Sequence, residues 1–273
     1  MGILFGLISG VSWGLADFFG GFASRRMNAA AVAFVSQVIG SALVLAAILI
    51  VRPDLPPWSA LGLGAIGGVC GGLGVFAFYK ALAMGTMSLV APVSALGAGV
   101  PMAFGILDGE RPSALALIGA LIALAGAVLA SRAPGHASRR GLGLAALAAL
   151  AFGAFFVLIA PAADTSVLWA GLSTRVSSVP VLLAVCLAIS ASVRVSTGLW
   201  PLMIGAGVLD IAANLAYAEA TQHGLLSIVA VLAGLYPVAT VVLAQIVLKE
   251  RLSHGQASGV VIALIGVGCI AAG

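Results

Sequence analysis

Residues 29–51 read AAAVAFVSQVIGSALVLAAILIV, a run of 23 residues without a charged side chain. A helix of about 20 apolar residues crosses the roughly 30 Å hydrocarbon layer of a bilayer. The apolar residues are continuous instead of alternating, which indicates a helix and not a strand of a membrane barrel. Arg25 and Arg26 precede the run, and Arg52 and Pro53 follow it. We therefore interpret residues 29–51 as a transmembrane helix.

The same pattern recurs along the chain, with nearly all charged residues in the short breaks. Apolar residues make up 62% of the sequence and charged residues 7%, far outside the averages of soluble domains. The predicted fold class is therefore all-α, a multi-pass protein of the cell membrane (inner or plasma membrane). We predict ten transmembrane helices, at 3–22, 29–51, 60–83, 88–107, 113–130, 142–162, 166–189, 197–221, 225–248 and 255–273.

Several function classes fit this sequence poorly. The net charge of +4 comes from 12 basic residues scattered over short loops, which form no patch for nucleic acid. All three histidines lie in or beside predicted loops, so we expect neither a metal site nor a nucleophile with a histidine base at membrane depth. We predict no cofactor and no enzymatic activity. A carrier is the favoured class, and a channel or a non-transporting membrane subunit is the alternative.

An internal repeat divides the chain. A shift of 139 residues aligns Gly14 with Gly153 and Gly68 with Gly207, and one added residue aligns Glu110 with Glu250. We predict two five-helix repeats, 1–131 and 142–273, joined by a linker loop at 132–141. Because five is an odd number of spans, the repeats enter the membrane in opposite senses. Such inverted repeats are typical of secondary transporters, whose substrate site lies near the middle of the membrane between the repeats.

Short motifs along the whole chain resemble the EamA branch of the drug/metabolite transporter (DMT) superfamily. They are Trp13-Gly14, Phe78-Tyr79-Lys80-Ala81, Ala91-Pro92, and the turns Glu110-Arg111 and Glu250-Arg251. The resemblance implies a ten-helix carrier that moves a small metabolite, often outward, by alternating access. The second repeat departs from the pattern, since Phe152-Gly153 replaces Trp-Gly and Val231 replaces the proline of the first repeat.

Ionisable side chains inside predicted spans are the strongest candidates for a site, because a charge at the bilayer centre costs about 2.5–3.5 kcal/mol on insertion scales. Asp210 lies near the middle of the eighth span, and Asn214 and Tyr217 follow at i+4 and i+7 on the same helical face. Arg175 in the seventh span and Gln37 in the second lie at comparable depth. We predict that all five contact the substrate.

Other candidates lie nearer to the ends of their spans. Asp17 follows Trp13 by one helical turn. Lys80 and Glu219 occupy equivalent positions of the two repeats; they pair across the pseudo-twofold axis or lie at opposite ends of the cavity, and Lys80 can also reach the headgroups. The remaining candidates are aromatic residues expected to line the cavity, namely Trp13, Tyr79, Tyr217 and Tyr236. We expect this cavity to be formed mainly by the first, third, fourth, sixth, eighth and ninth spans.

Charges of both signs, amides and aromatic surfaces together suit a small zwitterion such as an amino acid. A lipophilic cation is the alternative substrate, with Asp210 or Asp17 as countercharge and the aromatic rings as cation–π partners. Asp210 could also exchange a proton for substrate, so proton coupling is a hypothesis. The expected partners are the small-molecule substrate and the lipid bilayer, and the expected assembly is a monomer or a homodimer.

Overall fold

The computed structural model describes residues 1–84, 90, 93–130, 141–248 and 253–273. All regular secondary structure in these ranges is helical. Seven helices among them are long and apolar enough to cross a membrane. Most of the predicted linker, together with Ala91-Pro92 and the Glu250-Arg251 turn, lies outside the described residues.

The helices follow the predicted spans closely, apart from the fourth and the ninth. The first half contains α1 (Gly2–Ser24), α2 (Ala29–Val51), α3 (Trp58–Met84), a 3₁₀ turn (Leu96–Ala98), α4 (Gly99–Leu107) and α5 (Ala114–Ala130). The second half contains α6 (Leu142–Ala163), α7 (Val167–Ala188), a 3₁₀ turn (Thr197–Leu199), α8 (Trp200–Thr221), α9 (Leu226–Ala233), α10 (Tyr236–Leu248) and α11 (His254–Ala272).

The ninth predicted span, 225–248, contains two helices in the structure. Helix α9 ends at Ala233 and α10 begins at Tyr236. Pro237 has no amide hydrogen to donate to the carbonyl of Ala233, so one bond of the α-helical ladder is missing at this point. The amide of Leu235 instead donates to the carbonyl of Leu232, a 3₁₀-type bond of 3.3 Å.

The fourth span contains a related irregularity. A 3₁₀ turn at Leu96–Ala98 precedes α4. Pro101 has no amide hydrogen to donate to the carbonyl of Gly97, four residues earlier, so the regular ladder is interrupted here also. Both interruptions fall in the fourth span of their own half. Discontinuous helices at corresponding positions of two repeats are a feature of transporter folds.

Packing between the two halves follows an approximate twofold pattern. Helix α1 packs on α8, and their counterparts in the other half, α6 and α3, pack on each other. In the same way α2 packs on α8 while α3 packs on α7. Helices α2 and α7 contact each other, as do α5 and α11. The central helices are therefore shared between the halves, and α5 and α11 form a separate, closely packed pair.

The N-terminus of α9 is held by a carboxylate from the other half of the chain. Glu110, in the loop between α4 and α5, accepts the backbone N–H of Leu226 at 2.6 Å and that of Ser227 at 2.9 Å. Leu225, at the N-cap position, supplies no side-chain hydrogen bond. A carboxylate on free N–H groups also interacts favourably with the positive end of the helix dipole. Glu110 therefore ties the first half to α9.

Candidate functional site

A cavity lies among the central helices, between the two halves. Its volume is about 50 Å³. This is below the roughly 300–1,000 Å³ typical of small-molecule sites, so the cavity is narrow. It is lined by Trp13, Asp17, Gln37, Gly68, Gly71, Gly72, Val75, Tyr79, Phe152, Phe155, Phe156, Thr174, Arg175, Ser178, Asp210, Asn214 and Tyr236.

An ion pair between α7 and α8 forms one wall. The Nη2 atom of Arg175 lies 2.7 Å from Oδ2 of Asp210, and the two side chains are 4% and 17% exposed. The Nε–H of Arg175 is buried and has no acceptor among the described residues. Asn214 donates from Nδ2 to the main-chain oxygen of Asp210 at 2.6 Å. The guanidinium therefore keeps donor capacity that the ion pair does not use.

A hydrogen-bonded pair of neutral side chains lies beside this ion pair. The hydroxyl of Ser178 donates to Oε1 of Gln37, and both side chains are buried. Thr174, next to Arg175 in sequence, donates to the carbonyl of Gly171 in its own helix at 2.7 Å. Helices α2 and α7 thus contribute polar surface, although neither was among the helices expected to form the cavity.

Asp17 is the second carboxylate of the cavity. It forms neither an ion pair nor a hydrogen bond within the part of the chain that the structure describes. It lines the same cavity as Asp210, Tyr79 and Tyr236, which lie on three other helices. The Tyr236 hydroxyl donates to Ser94 Oγ at 2.9 Å. Asp17 therefore shares the cavity with phenols and another carboxylate, and no cation among the described residues pairs with it.

A cluster of aromatic rings forms part of the cavity lining. The Trp13 ring centroid lies 5.2 Å from that of Phe156, 5.9 Å from that of Tyr217 and 6.3 Å from that of Phe155. Phe156 and Tyr217 stack with their centroids 4.7 Å apart. The Tyr217 hydroxyl donates to the carbonyl of Phe156 at 3.2 Å, so Tyr217 packs behind Phe156 and does not line the cavity.

Two charged candidates also lie outside the cavity. Lys80 is exposed, with Nζ 5.5 Å from the Phe76 ring centroid. Glu219 lies near the end of α8, with Oε1 3.0 Å from Nε2 of His223, and the two side chains are 38% and 44% exposed. Lys80 contacts Phe76 and Glu219 contacts His223. Lys80 and Glu219 therefore do not pair across the pseudo-twofold axis, which was one of the two predicted arrangements.

Comparison with known proteins places this architecture in a family. Two stretches, residues 1–132 and 139–272, each match the sequence model of the EamA-like transporter family. The chain belongs to this family. It is therefore a multi-pass membrane transporter of the drug/metabolite transporter superfamily, built from two EamA repeats.

Other comparisons bear on the fold of this EamA-like transporter. The chain is similar to a solved structure whose title reads "Crystal structure of protein", with a TM-score of 0.79 and 21% sequence identity. The match covers 98% of this chain and 95% of that chain. No curated protein matches the sequence.

The structure brings together eight of the eleven candidate residues of this EamA-like transporter, and both repeats contribute four. They are Trp13, Asp17, Gln37 and Tyr79 from the first repeat, and Arg175, Asp210, Asn214 and Tyr236 from the second. Sequence reasoning missed the hydroxyl side chains of Thr174 and Ser178, which are at i−1 and i+3 from Arg175. Their position beside an arginine in the middle of a span could have identified them as lining residues. The phenylalanines of α6 could not be identified in this way, since they are ordinary apolar residues of a membrane helix.

Proposed function

We propose that this chain is a secondary-active carrier that exports a small metabolite, an amino acid or a related zwitterion, across the cell membrane. The observation that carries the proposal is a cavity between the repeats with charges of both signs, Asp17 and the Arg175–Asp210 pair. The narrow free space favours a small solute over a bulky one.

Each part of a zwitterion has a complementary group in this cavity. Asp17, without a partner among the described residues, suits an ammonium. Arg175 has N–H groups beyond the one that binds Asp210, and these suit a carboxylate, since charge-assisted hydrogen bonds are the strong ones. Trp13 and the phenylalanines of α6 offer an apolar surface to the rest of the solute.

Alternating access between two inverted repeats is the proposed mechanism. We keep the prediction of ten spans in all, with repeats at 1–131 and 142–273 and a linker at 132–141. Each repeat then has an odd number of spans and the two are inverted in the membrane. The cavity lies between the repeats, so rocking of one repeat against the other would open it to each side in turn.

A lipophilic cation is the second candidate substrate, and a specific observation favours it. The Asp17 carboxylate is unpaired among the described residues and shares the cavity with Trp13, Tyr79 and Tyr236. A cation at this position gains a countercharge and aromatic faces within reach. A channel or a non-transporting subunit is the alternative that needs no substrate site.

Flux into proteoliposomes tests the proposal. Labelled amino acids and a lipophilic cation are offered to the wild type and to Asp210→Asn, with Asp164→Asn as the matched control. Asp164 is an exposed carboxylate whose Oδ1 accepts from Gln222, a bond that asparagine preserves. We expect saturable amino-acid flux that only Asp210→Asn loses. Cation flux alone would favour the second candidate, and ion conductance in a planar bilayer would contradict a carrier.

A further inference from the structure

The breaks between the helices gather at two opposite ends of the bundle, and contacts show which breaks share an end. Trp169, in the first turn of α7, donates from Nε1 to the main-chain oxygen of Pro53, which follows α2, at 3.3 Å. Gln222, after α8, donates to Asp164, after α6, at 3.2 Å. Glu110, after α4, binds the N-terminus of α9. The breaks that follow α2, α4, α6 and α8 therefore lie at one end.

The first and last residues of the chain lie at the same end. Gly2, the first residue of α1, packs against the backbone of His223 and Gly224, between α8 and α9. Gly273, after α11, lies against Ser113 and Ala116, where α5 begins. We call this the termini end, and it comprises both termini and the breaks after α2, α4, α6 and α8.

The opposite end holds the other helix ends. Gly141, immediately before α6, lies against the backbone of Ala81 in the last turn of α3. Gly259, in the second turn of α11, packs on Ala130, the last residue of α5. The start of α2 and the end of α7 share one buried cluster. We call this the linker end, because residues 131–140 join α5 to α6 there.

Charged residues are divided very unequally between the two ends. By position in the sequence, nine of the 12 basic residues belong to the linker end, two belong to the termini end, and Arg175 lies between them. The nine are Arg25, Arg26, Lys80, Arg132, Arg139, Arg140, Arg194, Lys249 and Arg251, and the two are Arg52 and Arg111. Acidic residues show the opposite bias, with Asp54, Asp108, Glu110, Asp164 and Glu219 at the termini end and Glu250 at the linker end.

From this distribution we propose that the linker end faces the cytoplasm and that both termini lie on the outer side of the membrane. Short loops rich in lysine and arginine are retained on the cytoplasmic side, and acidic residues contribute little to this choice. The anionic headgroups of the cytoplasmic leaflet also attract basic residues. Arg25, Arg26, Lys80 and Arg194 are exposed, so their charges are available to these headgroups.

The orientation gives the transport route its two sides. The end where Glu110 binds α9 becomes the outer end, so an exported solute enters past the linker end and leaves at the termini end. This consequence rests on the proposed function. The orientation itself does not, since it follows from the charges and the helix contacts whatever the transporter moves.

Cysteine labelling in intact bacterial cells tests the orientation. Cys70, Cys186 and Cys269 are first replaced by alanine. Single cysteines are then introduced as Thr165→Cys at the termini end and Ser196→Cys at the linker end, both exposed and uncharged positions. With a membrane-impermeant maleimide we expect about tenfold more labelling of Thr165→Cys than of Ser196→Cys, and equal labelling once the cells are permeabilised. The reverse pattern, or equal labelling in intact cells, would overturn the orientation.

Fusions test the same inference without changing the native cysteines. Alkaline phosphatase needs disulfides and is active only outside the cytoplasm, whereas green fluorescent protein exported in unfolded form stays dark. Fused after Gly273, the phosphatase should be active and the fluorescent protein dark. A fluorescent fusion with an inactive phosphatase would place the C-terminus in the cytoplasm and overturn the inference. Neither readout involves transport, so failure of the carrier proposal would not affect it.

Moving the basic residues tests the cause of the orientation. One variant replaces five arginines of the linker end by serine and three aspartates of the termini end by lysine. The changes are Arg25→Ser, Arg26→Ser, Arg139→Ser, Arg140→Ser, Arg194→Ser, Asp54→Lys, Asp108→Lys and Asp164→Lys. Labelling of Ser196→Cys in intact cells should then rise about tenfold. The control changes only the three aspartates to asparagine and should keep the original pattern. An unchanged pattern in the first variant would overturn the charge argument.

Discussion

Arg175 and Asp210 lie in the middle of adjacent helices, α7 and α8, and form an ion pair with 2.7 Å between nitrogen and oxygen. Either charge alone would be expensive at membrane depth, and the pair makes both tolerable. Both residues belong to the second repeat. Among the described lining residues, the first repeat supplies Asp17 without a matching cation, so the two repeats contribute unequally to the charge of the cavity.

Breaking this pair from one side should destabilise the fold. Arg175→Met leaves the partly buried Asp210 without its cation, and we expect a loss of about 3–5 kcal/mol in the free energy of unfolding. The double variant Arg175→Met/Asp210→Asn should recover most of that loss, because neither charge then remains. Unfolding of the detergent-solubilised protein measures the cycle. Lys80→Met, at an exposed site, is the control and should change little; strictly additive losses would contradict the pairing.

The carboxylate of Glu110 should matter for stability through α9. Glu110→Ala leaves the N–H groups of Leu226 and Ser227 without their acceptor, and we expect a loss of about 1–3 kcal/mol. Glu110→Gln keeps one acceptor oxygen and should lose less. Hydrogen exchange at the two amides should accelerate in the same order. Asp108→Ala, exposed in the same loop, is the control. Unchanged exchange in Glu110→Ala would show that another group holds this helix end.

Much of the fold could be predicted because the bilayer imposes strong rules. Length and continuous apolarity located most helices to within a few residues, since a span of the wrong length cannot cross the hydrocarbon layer. The break between Ala233 and Tyr236 was not predicted. Pro237 is visible in the sequence, but proline often sits inside a continuous helix, as Pro180 does in α7. Tertiary packing decides between a kink and a break.

The site was predictable only one residue at a time. The cost of burying polar groups in a membrane identified Asp210, Arg175 and Gln37 individually. It could not identify their partners, because contacts such as Gln37 with Ser178 join different helices and leave no periodic signal within either. Lys80 and Glu219 look equivalent to Asp17 in sequence. Their exposure near the ends of α3 and α8 depends on how those helices are placed.

Close packing of α5 on α11 gives a matched test within one helix. A Cβ added at Gly266 would lie 2.4 Å from the backbone nitrogen of Ala123, whereas at Gly268 nothing lies within 4 Å. Gly266→Ala should therefore separate the helices and cost about 1–3 kcal/mol. Gly268→Ala should be neutral or slightly stabilising, since alanine favours helix more than glycine. Thermal unfolding of the two variants measures the difference, and equal behaviour would contradict the close contact.

Tyr217 provides a test of how far the helical face of α8 is used for binding. The sequence groups it with Asp210 and Asn214, but its hydroxyl donates to the carbonyl of Phe156 and its ring packs behind that residue. Tyr217→Phe should therefore lose about 1 kcal/mol of stability from one buried hydrogen bond and leave flux within about twofold. Tyr236→Phe, which removes a hydroxyl from the cavity lining, is the contrasting variant and should change the KM of transport. Initial rates in proteoliposomes, measured beside thermal unfolding, separate the two effects.

Lost flux in Tyr217→Phe with unchanged stability would mean that this hydroxyl reaches the solute in another conformation of the transport cycle, and the packing argument would then fail.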